Sequence, residues 1–286
     1  MTAGWPEVFE SMSRTDQTPA VFIFGLSSDI GREMALRFTG QGWKVAGTYR
    51  QKQSLGLLAE EEDVTAIPCD AEDPDSIAAA VAEFAALDMP WDLFLSSIGT
   101  MEPIGPFFDL DFNNWEKSVT VNSVAQLRAL HGLYPLCRQE GKAHAMFFAG
   151  MGSNNVTANY SAYIASKIML IKMCEQLDEE AGDLNVFIIG PGFLPTKMVQ
   201  ETLRAGEMAG ENYQKTLDFL DSPGTSFDDV FAHINWCMKQ GREVAGGRNF
   251  STVHDSWRDG GSDLAERLCG SPDMFKLRRS ADGSSR

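Results

Sequence analysis

The chain reads as an α/β protein: one doubly wound parallel sheet with helices on both faces. Three observations carry that reading. Short apolar runs alternate with helical patterns from residue 20 onward, which implies right-handed crossovers and a covered parallel sheet. The chemically distinctive residues fall just after the apolar runs: Gly25, Arg50, Asp70, Ser96 to Gly99, Ala149 to Gly152, and Pro191-Gly192. In such folds the ligand site lies at the carboxyl ends of the strands. Finally, 286 residues with no interdomain linker or repeat fit one large domain.

The elements follow in order. Residues 20–24 (AVFIF) are five apolar residues ending at Gly25, a buried strand. Residues 30–40 have helical periodicity, 43–49 form a second strand and 54–62 a second helix. Residues 64–68 are a third strand. Residues 74–87 form a helix, with Asp73 as N-cap and Asp75 in the first turn. A strand at 92–96 precedes a long helix at 115–137, a strand at 144–148, a second long helix at 160–181 and a strand at 185–189. The segment 197–225 interrupts the alternation. A helix at 227–239 and a last strand at 248–253 close the pattern. The organisation expected is an N-terminal arm at 1–19, the domain at 20–254 and a Gly-, Ser- and Arg-rich tail at 255–286.

Composition narrows the function. The hydrophobic share of 43% and charged share of 22% are those of a soluble globular protein. A net charge of −16 argues against nucleic acid or an anionic membrane as partner. No apolar run reaches membrane-spanning length. The polar start, with Glu7, Glu10 and Asp16, lacks a signal-peptide pattern, so a cytoplasmic location is expected. Cys69, Cys137, Cys174, Cys237 and Cys269 are scattered and odd in number, which points to small core hydrophobes rather than disulfides or a metal site. His131, His144, His233 and His254 lack ligand spacing, so no metal is expected.

Two motifs carry chemistry. Phe24-Gly-Leu-Ser-Ser-Asp-Ile-Gly31 follows the first strand and opens a helix. Gly25 permits a tight turn, Gly31 permits close helix–strand packing, and the helix N-terminus faces an anion, suiting a diphosphate. Tyr163 and Lys167 stand four residues apart in a helical stretch and share a face. A neighbouring ammonium favours the phenolate, so Lys167 is expected to lower the Tyr163 pKa. A tyrosine so tuned passes a proton to or from a carbonyl or hydroxyl oxygen. Taken alone, each motif also fits an ordinary strand–helix turn or helix face.

In their order, these motifs resemble the short-chain dehydrogenase/reductase family over about residues 21–196. The loop matches the family's Thr-Gly-x-x-x-Gly-x-Gly, with Phe24 for threonine and Asp29 for the middle glycine. The resemblance implies a Rossmann-type fold and a nicotinamide cofactor held by Gly25, Ser27, Ser28, Asp29, Ile30 and Gly31. Asp70 matches the aspartate near the adenine. Ser96-Ser97-Ile98-Gly99 stands for Asn-Asn-Ala-Gly and places Ser97 and Gly99 at the cofactor. Pro191-Gly192 to Thr196 matches the segment beside the nicotinamide. Tyr163 and Lys167 match the catalytic pair, which also touches the cofactor, and Asn122 matches the asparagine that supports the lysine through a water. A carboxylate beside a diphosphate is unfavourable, so Asp29 is expected to cap the helix and face away.

The second strand ends in Thr48-Tyr49-Arg50, without the acid that binds ribose hydroxyls. Arg50 suits a 2′-phosphate, with Lys52 and Arg32 adding charge, so NADP(H) is favoured over NAD(H). The family's serine, thirteen or fourteen residues before the tyrosine, is absent: Ala149 and Gly150 occupy its places. Ser153, or Asn154, is the candidate substitute hydroxyl or amide.

The resemblance implies interconversion of a ketone and a secondary alcohol. The substrate lid is expected at about 193–225, where Met198, Leu203, Met208, Tyr213 and Leu217 mix with Lys197, Arg204 and Lys215. The tail around Trp257 and 274–279 resembles members associated with polysaccharide and nucleotide-sugar metabolism, implying a keto-sugar or sugar-nucleotide substrate. Family habit implies a homodimer or homotetramer, paired through the long helices. The alternative left open by Ala149 and Gly150 is a cofactor-binding protein with weak or no catalysis, a sensor or partner subunit.

Overall fold

The computed structural model describes residues 18–139, 143–221 and 224–279. The arm expected at 1–19 thus lies almost entirely outside the described residues. Seven parallel strands form one sheet in the order β3-β2-β1-β4-β5-β6-β7. They are β1 (Ala20–Phe24), β2 (Lys44–Tyr49), β3 (Val64–Pro68), β4 (Leu93–Ser96), β5 (Ala143–Phe148), β6 (Leu184–Gly190) and β7 (Asn249–Ser251). The order reverses between β1 and β4, so a crevice opens at their carboxyl ends. Ile23 opposite Leu95 and Leu95 opposite Met146 align apolar side chains on one sheet face, and Phe22 opposite Phe94 does so on the other.

Helices cover both faces. On one side lie α1 (Asp29–Gly40) and, further on, α8 (Phe227–Ala245). They bury Met34, Phe38, Val230 and Ile234 against Val21, Ile23, Leu95 and Phe187. On the other side lie α2 (Pro74–Ala85), α3 (Phe112–Val119), α4 (Ala125–Leu133) and α5 (Ser161–Glu180). They bury Ile77, Phe84, Leu130, Leu133, Leu170 and Ile171 against Phe22, Phe94 and Phe147. Each of these large side chains contributes roughly 1.5–3 kcal/mol on burial. Asp73 caps α2 as expected, its carboxylate accepting from the Asp75 amide at 2.9 Å.

Three expectations are corrected. Residues 52–60 form a 3-10 helix kinked at Gly56 (φ +57°), not an α-helix over 54–62. The helix foreseen at 115–137 begins earlier, at Phe112, and contains a π-turn at Thr120–Val124 around Asn122. The tail is more ordered than its composition implies. It forms α9 (Ser262–Cys269), whose Leu264 and Leu268 join the core. Arg248 pins that tail: its buried guanidinium donates to the carbonyls of Leu268 (2.7 Å), Met274 (3.1 Å) and Ser271 (3.2 Å).

The interrupting segment also folds. It makes α6 (Lys197–Ala205), a 3-10 turn at Gly206–Ala209 and α7 (Glu211–Leu220). Phe193 stacks on Phe219 at 4.8 Å. Cys69, Cys137, Cys174 and Cys237 are buried and Cys269 is exposed, all of them free thiols. Among the described residues no helix is long and apolar enough to cross a membrane.

Candidate active site

The loop after β1 is built by close approach. Gly25 has φ +101°, a region a side chain disfavours. A Cβ on Gly31 would stand 2.9 Å from both Ser28 Oγ and Ser97 Oγ, and nearer still to the Gly25 carbonyl. The loop is pinned by a chain of hydroxyls. Gly31 N donates to Ser28 Oγ (2.9 Å), Ser28 Oγ to Ser97 Oγ (3.0 Å), and Ser97 Oγ to Gly25 O (3.0 Å). Thr48 Oγ1 accepts from Gly25 N at 2.9 Å, tying the loop to β2. Thr48 was missed in the sequence, for no motif marks it.

Asp29 is corrected. Ser28, not Asp29, is the N-cap of α1. Asp29 Oδ1 pairs with Arg32 at 2.6 Å, while Oδ2 accepts from Lys197 N, the first amide of α6, at 2.8 Å. The carboxylate therefore reaches across the crevice and caps another helix. Arg32 is correspondingly occupied, since it also donates to the carbonyls of Ser27 (2.8 Å) and Ser54 (3.1 Å). That removes it from the charge expected beside Arg50. Arg50 stays largely exposed, with Glu72 at 4.0 Å as a loose neighbour. Asp70 is exposed and accepts from the Glu72 amide at 3.0 Å.

Tyr163 and Lys167 lie on one face of α5, both buried, with Lys167 Nζ 5.6 Å from the Tyr163 ring centre. Lys167 Nζ donates to Phe148 O at the end of β5, at 2.8 Å. Burial pushes the Lys167 ammonium down to about 8. Burial, followed by the Glu201 carboxylate, pushes the Tyr163 phenol well above its ordinary range. The shift runs opposite to the depression expected from Lys167: burial and then the Glu201 carboxylate set it, both raising the phenol.

Gly150 fills the serine's place without a side chain. A Cβ there would stand 2.6 Å from Tyr163 Cε1 and Cζ and closer still to Oη. The phenol occupies the space that a residue-150 side chain would need. Ser153 Oγ donates to Gly150 O at 2.9 Å, so its hydroxyl is held within the loop rather than on Tyr163. Asn154 is exposed.

Asn122, fully buried on the π-turn, holds the loop after β4. Its Oδ1 accepts from Thr100 N at 2.9 Å, and its Nδ2 donates to Thr100 O at 2.8 Å and Ser118 Oγ at 3.2 Å. Its side chain thus positions Thr100 rather than meeting Lys167. Gly99 lies beneath α6, where a Cβ would meet Met198 Cε at 3.0 Å. Pro191-Gly192 follows β6, with Gly192 at φ +79° beside Thr225. Thr196 is the N-cap of α6.

Comparison with known proteins identifies the family. A family model described as enoyl-(acyl carrier protein) reductase matches residues 25–218. The chain belongs to the short-chain dehydrogenase/reductase family. A 1-deoxy-11-beta-hydroxypentalenate dehydrogenase of Streptomyces arenae is 30% identical over 209 residues, 68% of this chain and 73% of that protein. A serine 3-dehydrogenase of Agrobacterium fabrum is 25% identical over 235 residues, 78% and 89% of the two chains. Among solved structures, the KRED1-Pglu enzyme superposes with a TM-score of 0.74 at 22% identity, over 81% of this chain and 100% of that one. Its likeness speaks for the fold. The family is one of NAD(P)-binding oxidoreductases.

The residues present fit such a cofactor. The Gly25–Gly31 cradle admits no added Cβ at either glycine, and it opens directly onto the N-terminus of α1. Backbone amides and the helix end then stand where an anion is favoured.

Proposed function

We propose that this short-chain dehydrogenase is an NADP(H)-dependent oxidoreductase interconverting a ketone and a secondary alcohol on a small polar substrate of the keto-sugar or sugar-nucleotide class. One observation carries the reading. Tyr163 and Lys167 are buried side by side on α5, with the Lys167 ammonium donating to Phe148 O at the carboxyl end of β5. An ion-forming pair is costly to bury without a task or a partner.

In this reading the loop Gly25, Ser27, Ser28, Ile30 and Gly31 holds the diphosphate, with Asp29 beside it. Arg50 takes the 2′-phosphate and Asp70 the adenine edge. Ser97, Gly99, Pro191, Gly192 and Thr196 line the nicotinamide half. The bound nicotinamide supplies or accepts the hydride. Tyr163 Oη gives its proton to the substrate oxygen in reduction, and its raised pKa keeps that proton in place until needed. Lys167 binds the ribose and, when charged, draws the phenol back toward ionisation. Asn122 keeps Thr100 and the β4 loop in register and anchors the proton relay. The lid at 193–225 sets specificity. Copies pair as a homodimer or homotetramer through α3–α4 and α5.

A second reading has its own support. With Gly150 in the serine's place and Ser153 bonded to Gly150 O, only the tyrosine remains to hold a substrate oxygen. A cofactor-binding protein with weak or no catalysis fits that fact. Incubation with NADPH and a panel of keto-sugars and simple ketones separates the two. Nicotinamide oxidation supports the enzyme, and tight binding without oxidation across the panel supports the second reading.

A further inference from the structure

Helix α6 is short and lies over the crevice, so its inward face should be apolar. Instead it buries two adjacent polar residues, Glu201 at 5% exposure and Thr202 at 2%. A buried carboxylate needs donors, and Glu201 has them. Its Oε2 accepts from Met101 N at 2.7 Å and from Thr100 Oγ1 at 3.3 Å. Thr202 Oγ1 accepts from Tyr160 Oη at 3.3 Å, one turn before Tyr163 on the chain. The loop that Glu201 grips is the loop that Asn122 holds by both backbone groups of Thr100. Glu201, Thr100 and Asn122 therefore form one continuous chain of bonds from the lid helix to the π-turn.

We propose that Glu201 is a positioning residue that fastens the substrate helix to the Asn122-held loop and so sets the closed site around Tyr163. This rests on the oxidoreductase reading above and assigns the fastening to one side chain. Other charged groups face the carboxylate. Lys197 Nζ lies 4.0 Å from Oε1 on the same helix. The Glu102–Arg204 pair, at 3.9 Å, flanks it on the loop side. Tyr163 on α5 is raised by the same carboxylate, and Asp29 caps the start of α6. Among these, the interaction with Tyr163 matters for chemistry, since a fixed negative charge opposes formation of the phenolate.

Two variants separate fastening from charge. Glu201→Gln keeps an acceptor for Met101 N and removes the charge. Glu201→Ala removes both. Hydrogen exchange over residues 197–205 in the cofactor-free protein reads the fastening without turnover. Circular dichroism confirms that each variant folds. In Glu201→Ala, protection across α6 should fall ~10-fold or more, as expected for losing bonds to a charged acceptor, and KM for the ketone should rise more than kcat falls. In Glu201→Gln, which keeps the acceptor for Met101 N, protection should stay near wild type and KM for the ketone should return to the wild-type value. Wild-type protection in the alanine variant, or protection lost equally in the glutamine variant, overturns the proposal. Should the wild-type protein reduce no ketone, the function reading fails alone, and exchange still decides the fastening.

Discussion

The phenol of Tyr163 stands where a side chain on Gly150 would have to be, with Cζ only 2.6 Å from that Cβ position. The two residues are matched. Glycine leaves the space, and tyrosine fills it. The absent serine is therefore part of how this site packs, not an isolated substitution.

It follows that Gly150→Ala should be destabilising. The added methyl overpacks a buried aromatic ring, a change that costs about 1–3 kcal/mol. A lower thermal midpoint than wild type checks this. Gly150→Ser should show the same loss, because the hydroxyl arrives on the same Cβ.

Arg50 carries the proposed cofactor preference. It is exposed and only loosely engaged by Glu72, so removing it disturbs little of the fold. Arg50→Ala should weaken NADPH binding ~10-fold or more, the scale of a charge-assisted hydrogen bond. NADH affinity should stay within about twofold, since NADH has no 2′-phosphate. Titration of both cofactors by fluorescence measures the pair of constants.

Asp29 places a carboxylate at the phosphate loop while it caps α6 through Lys197 N. Asp29→Asn keeps an acceptor for that amide and removes the charge. NADPH should bind several-fold tighter, on the order of the repulsion between charges near a protein surface. The gain should shrink as salt is raised, because screening weakens the same repulsion in wild type.

Lys167 makes a pH prediction. Burial lowers its pKa from 10.5 to about 8. Between those values the unfolded chain binds more protons than the folded one, so stability rises with pH through that window. The burial cost is fully present below about pH 8 and relieved toward pH 10.5. Lys167→Met should be inactive yet more stable than wild type at pH 7, with the advantage shrinking as pH rises toward 10.5. Denaturant midpoints at a series of pH values would reveal this crossing, and a constant difference would count against it.

Much of the fold was legible in the sequence. Apolar runs such as 20–24 and 185–189 located the central strands, because buried parallel strands are continuous in hydrophobicity; the edge strands β3 and β7 showed more weakly, being only partly buried. What escaped depended on contacts from afar. The π-turn around Asn122 shifts a backbone bond by one residue and leaves no periodic mark. Ser28 and Asp29 are both good capping residues, and the Arg32 guanidinium and the distant Lys197 amide explain why Asp29 turned away from α1. Glu201 reads as a surface acid in its own helix. Its burial exists only because the β4 loop brings Met101 N to it. The tail's apolar residues were visible, but not the Arg248 guanidinium that fastens them.

The central claim is that Tyr163, with Lys167, moves a proton during nicotinamide-dependent reduction of a carbonyl. The direct measurement compares wild type with Tyr163→Phe for NADPH oxidation on the best ketone of the panel, alongside NADPH affinity. The account predicts a fall in kcat of about 10²-fold or more, the scale of a lost general acid, with affinity nearly unchanged. Equal kcat in the two proteins would contradict it.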